Sequence, residues 1–259
     1  METGGINQST KANLILGWDG VVLRWICTND GRVEEFGQVD DVAEWTALAD
    51  RFKQVEQVTL TRLFPEVTLM PAAVAEGIEE AILTLHHGVR SEGCRAFLSQ
   101  RLGEELSLIE GGHGREVELL NTSWPKARWA SVALGWLEAQ SQLASTGENA
   151  VTVSVLAGTN RAMMCRFDAG SLSWCTVTDD MEGSGVLYHC VNAMVRDGIK
   201  IESSDVQIKL GGVESMTLEL KQQFNRFFES VEAEPTPWNW IVSQPEPAGD
   251  WDALFFANH

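Results

Sequence analysis

Leu14-Ile-Leu-Gly-Trp-Asp-Gly-Val-Val-Leu-Arg-Trp-Ile-Cys-Thr-Asn-Asp-Gly31 decides the fold once it is set beside Val153-Ser-Val-Leu-Ala-Gly-Thr-Asn-Arg-Ala-Met-Met-Cys-Arg-Phe-Asp-Ala-Gly170. In both stretches an apolar run reaches a short Gly-containing turn, a second apolar run follows, and a second turn ends in Gly. Each predicts a three-stranded β-meander. The third strands are expected at 32–39 and 171–178. Each leads through an acidic pair, Asp40-Asp41 or Asp179-Asp180, into a helical pattern and then a further strand, at 58–63 and 206–210. Two copies of strand-strand-strand-helix-strand, their Gly-ended turns 139 positions apart, predict two similar lobes.

Length agrees, since 259 residues suffice for two lobes of roughly 100–150 residues, each with its own core. At 44% hydrophobic and 22% charged the composition is globular. No apolar run approaches the roughly 20 residues that a membrane-spanning helix needs. The polar stretch 1–11 lacks the basic and apolar pattern of a signal peptide, so cytoplasmic residence is expected. Cys27, Cys94, Cys165, Cys175 and Cys190 are odd in number and widely spaced, which favours buried reduced thiols. The turn ending at Gly170 is expected to set Cys165 opposite Ser173 or Trp174 rather than Cys175. A formal charge of −18, spread over both halves, repels phosphate backbones and argues against general nucleic-acid binding. Solubility alone accounts for it.

Between the meanders, Pro71 opens a helix over 72–85 after a strand ending near Met70. Runs 95–100 and 105–110 flank Leu102-Gly103-Glu104 and predict a hairpin. A short helix over 114–120 stops before Trp124-Pro125. Residues 127–132 read as a strand and 133–143 as a helix closed by Ser145-Thr146-Gly147, which marks the lobe boundary: 1–147 and 148–259. Helices follow at 185–195 and 215–231, the second placing Met216, Leu220, Phe224, Phe227 and Phe228 largely on one face. The tail, about 235–259, is broken by Pro235, Pro237, Pro245 and Pro247 yet rich in Trp238, Trp240, Trp251, Phe255 and Phe256. Its last helix, 251–257, is expected to fold back on the first lobe, with a protein-binding arm as the alternative.

This arrangement, with Leu210-Gly211-Gly212 closing the last strand of the second copy, resembles the actin-like superfamily, whose lobes are built on the ribonuclease H-like fold. More narrowly it is similar to an uncharacterised bacterial domain-of-unknown-function family, and more distantly to actin-like pilus-assembly and secretion proteins. The likeness runs through Leu69-Met70-Pro71, 119–138, 151–212 and Leu254-Phe255-Phe256. It implies an α/β fold with mixed sheets: duplicated ribonuclease H-like lobes in the actin-like ATPase architecture, with a nucleotide cleft between them.

In active members each lobe offers a hairpin turn whose backbone N–H groups cradle phosphates and whose acid positions a metal-bound water. The resemblance therefore implies cofactor contacts at Asp19 and Gly20 in the first turn, at Gly158 and Thr159 in the second, and at Gly211 and Gly212. The last pair matches the adenosine-binding segment. The second turn has no carboxylate. From the residues alone, Asp19 is also an ordinary turn residue bonding nearby N–H groups, and Gly211-Gly212 an ordinary strand-to-helix turn.

Other chemistry lacks its spacing. His86-His87 with Cys94, or His189-Cys190, come without a CxxC, HExxH or second ligand cluster. Gly183-Ser184-Gly185 is not a nucleophile elbow but a helix entry. Gly111-Gly112-His113-Gly114 lacks the Lys of a phosphate loop and reads as a flexible turn. A ribonuclease H-like nuclease needs several converging carboxylates, and the first meander offers Asp19 alone. The expectation is a cytoplasmic actin-like protein without hydrolysis: an interaction or assembly module with a protein partner or self-association, no nucleic acid, no membrane insertion, no metal and no cofactor. Its motivation is the missing second acid and the tryptophan-rich tail. The alternative is an ATP-binding switch or kinase-like enzyme closing over Mg-ATP, and a third is a small-molecule enzyme in the same cleft.

Overall fold

Both meanders form. In the computed structural model, which describes residues 12–75, 77–78, 81–82, 85, 94–102, 105–146, 151–181, 184–201, 205–212, 214–234, 237, 239–240 and 249–258, strands β1 (Ala12–Trp18), β2 (Leu23–Asn29) and β3 (Arg32–Val39) pair antiparallel. Strands β9 (Val151–Ala157), β10 (Ala162–Asp168) and β11 (Ser171–Thr178) repeat the pattern. At both distal tips the two central residues have positive φ: 49° and 75° at Asp30 and Gly31, 47° and 80° at Ala169 and Gly170. That mirror-image turn matches the twist of the flanking strands. The ladder also slips just before each tip, between Cys27 and Thr28 and between Arg166 and Phe167. The second slip corrects one expectation, because the bulge brings Cys165 opposite Cys175; both thiols are free.

Helix α1 (Trp45–Arg51), entered through a 3-10 turn at Val42–Glu44 that the Asp41 side chain caps, leads to β4 (Gln57–Arg62), parallel to β1. Helix α5 (Gly185–Arg196) likewise leads to β12 (Val206–Gly212), parallel to β9. With β8 (Arg128–Trp129), β13 (Ser230–Ala233) and β14 (Asn239–Trp240) the large sheets run β14-β3-β2-β1-β4-β8 and β11-β10-β9-β12-β13. Apart from the added edge strand β14, the order is the same in both. Between β4 and β8 the first lobe carries β5 (Val67–Pro71), helix α2 (Ala72–Ala75), β6 (Cys94–Leu102), β7 (Leu106–His113) and α3 (Gly114–Ser123). Its strands make a small sheet ordered β5-β7-β6.

Strand alternation sorts the core into layers. On the first sheet Leu14, Leu16, Trp18, Leu23 and Trp25 face outward, where Trp45, Leu48 and Phe52 of the α1 segment and Leu120 of α3 cover them. On the second, Val153, Val155, Met164, Ile208 and Leu210 face outward under α5 and α6 (Glu214–Phe224). The inward faces share one core. Ile15 and Ile26 of the first sheet, and Leu156, Met163, Cys165 and Phe167 of the second, close on α4 (Val132–Thr146) and α7 (Gly249–Phe255). Because both sheet faces are covered, β1, β2, β9 and β10 read as near-continuous apolar runs. Two glycines seat the C-terminal segment. A Cβ on Gly17 would lie 2.4 Å from Leu254 of α7, and one on Gly135 of α4 would lie 2.0 Å from the Phe256 carbonyl oxygen. Helix α7 contacts β1 and β2 as well as β9 and β12, so it lies between the lobes.

Several expected elements change. The helix over 215–231 ends at Phe224, followed by tight turns in which the Arg226 and Phe227 N–H groups bond carbonyls three residues back. Residues 230–233 become β13, parallel to β12, with Val231 buried. The aromatic run had continued the helical period, but Phe227 is half exposed. Gly111, Gly112 and His113 are not a loop but the end of β7, where the Gly111 N–H donates to the Glu66 carbonyl at 2.9 Å. The strand at 127–132 shortens to Arg128–Trp129, and α4 starts at Val132, its entry capped by Ser131 Oγ, which accepts from the Leu134 N–H at 2.8 Å. Of the helix over 72–85, residues 76, 79–80 and 83–84 lie outside the described residues, as do the boundary residues 147–150, His86-His87 and 241–248 of the tail.

Candidate functional site: the cleft between the lobes

The first turn, between β1 and β2, is organised by Asp19. Its Oδ1 accepts from the Val21 and Val22 N–H groups, at 2.8 and 2.7 Å, and its Oδ2 pairs with Arg24. The carboxylate thus occupies two backbone donors of the turn that the resemblance implied as a phosphate cradle. Gly20 takes φ of 101°, which turns the chain, and Val21 stands 65% exposed on the cleft wall. Arg24 is held from its other side by the Trp251 ring of α7, 5.4 Å away.

In the second turn the Gly158 N–H donates to the Arg161 carbonyl at 2.8 Å, so this donor too is spent within the turn. Arg161 then crosses to the first lobe. Its Nη1 donates to the Phe64 carbonyl and to Glu66 Oε1, both at 3.1 Å. Phe64 has φ of 49°, a conformation that bulky L residues avoid, and is buried. The turns and the loop after β4 enclose a cavity of about 330 Å³, lined by Asp19, Gly20, Val21, Phe64, Arg161 and Asp179 among others. This lies near the lower bound for ligand pockets, about 300 Å³.

Of the six residues implicated by sequence, Asp19 and Gly20 line this cavity. Gly158 is buried in its own turn and Thr159 is exposed beside it. Gly211 and Gly212 end β12 against Leu156 and Ala157. A Cβ on Gly212, whose φ is 106°, would come within 2.0 Å of the Ala157 carbonyl oxygen; one on Gly211 would meet Glu234 at 3.3 Å. The room these glycines provide is therefore filled by the protein itself. Glu234 belongs to a polar string in which Gln140 Nε2 donates to Glu234 Oε2 at 3.3 Å and Ser154 Oγ donates to Gln140 Oε1 at 2.7 Å. Burial raises the Glu234 carboxyl above its ordinary range, against the pull of Lys209 and Gln140.

A charged cluster at the mouth of the cleft was not singled out from the sequence. Arg62, 9% exposed at the end of β4, lies 3.8 Å from Glu66 and also feels Glu110, Glu116 and Arg161. Glu110 of β7 is 3% exposed and accepts a hydrogen bond from Ser131 Oγ. Burial pushes its carboxyl up to about 7, with Ser131 and Arg62 pulling the other way. Glu66 is held low by its backbone hydrogen bond and by Arg62 and Arg161, which together outweigh its burial. A signal existed: in period two, Glu110 falls on the same face of its strand as Leu106 and Leu108.

A larger cavity, about 680 Å³, lies away from these turns, in a groove between α5 and α6 lined by Leu187, Tyr188, Val191, Arg226 and Phe227. His189 lies 3.8 Å from Asp180, and buried Cys190 contacts Met164. Among the described residues no three His, Cys, Asp or Glu side chains are grouped to hold a metal ion, and no helix is long and apolar enough to cross a membrane.

The chain is similar over 97% of its length, and 98% of the other chain, to a protein of actin-like ATPase fold and unknown function from Bacteroides thetaiotaomicron (18% identity, TM-score 0.73). It is similar over 95% of its length, and 97% of the other chain, to a protein in the PilM-PilN type IV pilus biogenesis complex (12% identity, TM-score 0.56). The fold is therefore the actin-like ATPase fold, as the sequence resemblance implied. No family model and no curated protein matches the chain.

Proposed function

We propose that this protein is an actin-like module whose nucleotide cleft has degenerated and which acts through protein contacts, as an interaction or assembly component. The observation that carries the reading is Asp19: its carboxylate caps the Val21 and Val22 amides and is itself neutralised by Arg24. Admitting a phosphate there requires breaking charge-assisted hydrogen bonds that the protein already makes. The second turn adds no carboxylate, spends the Gly158 amide internally and commits Arg161 to Glu66. Likeness to a chain of a pilus-biogenesis complex supports a role in assembly.

Trp251 of the tail lends no support, because it is 6% exposed and spends its surface on the interlobe core. The competing reading, a nucleotide-dependent switch, uses the same cavity with Asp19 swung toward a bound metal. Steady-state ATPase measurement with purified protein separates the two. The proposal expects no turnover above a no-protein blank in wild type or in Asp19→Ala. Hydrolysis that Asp19→Ala abolishes would overturn it. Sedimentation over a hundredfold concentration range then distinguishes self-association from dependence on a different chain.

A further inference from the structure

The two lobes share a buried core around α4 and α7, and at the cleft Arg161 crosses between them to grip the Phe64 carbonyl and Glu66. Glu66 is contested. Arg62, four residues earlier, approaches it at 3.8 Å, and Arg62 in turn feels Glu110 and Glu116. Three glutamates and two arginines so close together carry net charge −1 when all are ionised and zero when one takes a proton. Glu110 is the one held between buried walls. Its carboxyl takes a hydrogen bond from Ser131 Oγ and feels Arg62 of β4, and from the second lobe the Cys175 thiol of β11 feels its charge; Arg62 is the group that it shares with Glu66, Glu116 and Arg161. Burial keeps that thiol neutral by raising it to about 12. The same strand joins Glu110 to the latch by backbone, because the next amide, Gly111, donates to the Glu66 carbonyl.

We propose that protonation of Glu110 loosens the cleft mouth: Arg62, relieved of one counter-ion, draws the Glu66 carboxylate away from Arg161, and the grip of Arg161 on the Phe64–Glu66 loop weakens. The proton comes from solvent and no other bond is made or broken. Phe64, held at φ of 49°, gives the loop a reason to relax once released. Because burial pushes the Glu110 carboxyl up to about 7, the change falls in a range where modest acidification acts. This goes beyond the reading of a degenerate cleft and stands whether or not nucleotide binds.

The test is amide hydrogen exchange on the full chain at pH 6.0 and 8.0, corrected for intrinsic exchange rates. The expected result in wild type is protection at Leu63, Gly111 and Gly158 at least fivefold lower at pH 6.0, with Ile15 in the central strand unchanged or better protected. Protonating a buried carboxylate stabilises the fold as a whole, so loss confined to the mouth is opposite in sign to a merely structural effect. Glu110→Gln should show the low protection at both pH values. Arg161→Met, whose side chain is partly exposed, should do the same without burying a new group. Equal protection at the two pH values in wild type overturns the proposal, as does a pH difference that survives in Glu110→Gln. Should that variant not fold, a pH difference that survives in Arg161→Met has the same force.

Discussion

Replacing Gly135 with Ala sets two effects of opposite sign against each other. Gly135 lies inside α4, where Ala is favoured over Gly by about 1 kcal/mol, so helix propensity alone predicts stabilisation. The added Cβ, however, would lie 2.0 Å from the Phe256 carbonyl oxygen and 3.0 Å from its carbon. Both are backbone atoms of the 3-10 turn Phe256–Asn258, which cannot rotate aside as a side chain would. The turn has to move by more than an ångström, dragging Leu254 and Ala257, both fully buried. Overpacking of this kind costs about 1–3 kcal/mol. The net expectation is a loss of about 1 kcal/mol, bounded above by the roughly 5 kcal/mol that full exposure of Leu254 and Trp251 would forfeit. Urea unfolding measures the stability, and limited proteolysis of 249–258 reports whether the segment lifts. An increase in stability of about 1 kcal/mol with unchanged proteolysis would refute the seating of the C-terminal turn on α4.

Three further outcomes are expected. Asp19→Ala should lower stability by about 2–3 kcal/mol in urea unfolding, because it removes a largely buried ion pair and two amide caps; a loss under about 0.5 kcal/mol would mean that Asp19 is an idle loop residue. Glu110, raised from an unfolded value near 4.3 to about 7, contributes stability that is fully present below about pH 4.3 and lost as pH rises through about 7. Relative to Glu110→Gln, wild type should therefore lose up to about 3 kcal/mol between pH 4.5 and 8, and parallel stability curves for the two proteins would contradict this. Cys165 and Cys190 are buried, which raises the Cys190 thiol to about 12 and Cys165 well above its ordinary value, so peptide mass spectrometry should find neither alkylated by a maleimide at pH 8 until urea is added.

How far the sequence carried can be seen residue by residue. Strands β3 and β11 and helix α5 lie where their patterns put them, because Gly31, Gly170 and Gly185 punctuate runs whose apolar spacing is unambiguous. The edge strand β13 was lost inside a helix since Phe227 and Phe228 extend a 3.6-residue period by coincidence, and a four-residue parallel edge strand with one buried side chain carries almost no signal of its own. At the cleft, Asp19 could be found from its turn but its partners could not. Whether a carboxylate faces a ligand or its own backbone depends on side-chain torsions that no spacing encodes. Gly17 and Gly135 matter through residues some 120 to 240 positions away, and Arg161 meets Glu66 across 95 positions. Such contacts follow from the packing of two lobes, which local pattern does not specify.

A thermal-shift titration with Mg-ATP and Mg-ADP tests most directly the proposed loss of nucleotide binding in the cleft. Wild type is compared with an Asp19→Ala, Gly211→Val double variant. For a degenerate cleft, melting temperatures are expected to be independent of nucleotide up to millimolar concentration. A concentration-dependent rise in wild type that the double variant lacks, growing toward the roughly 2.7 kcal/mol expected at 100 times the dissociation constant, would contradict the proposal and identify a working nucleotide switch.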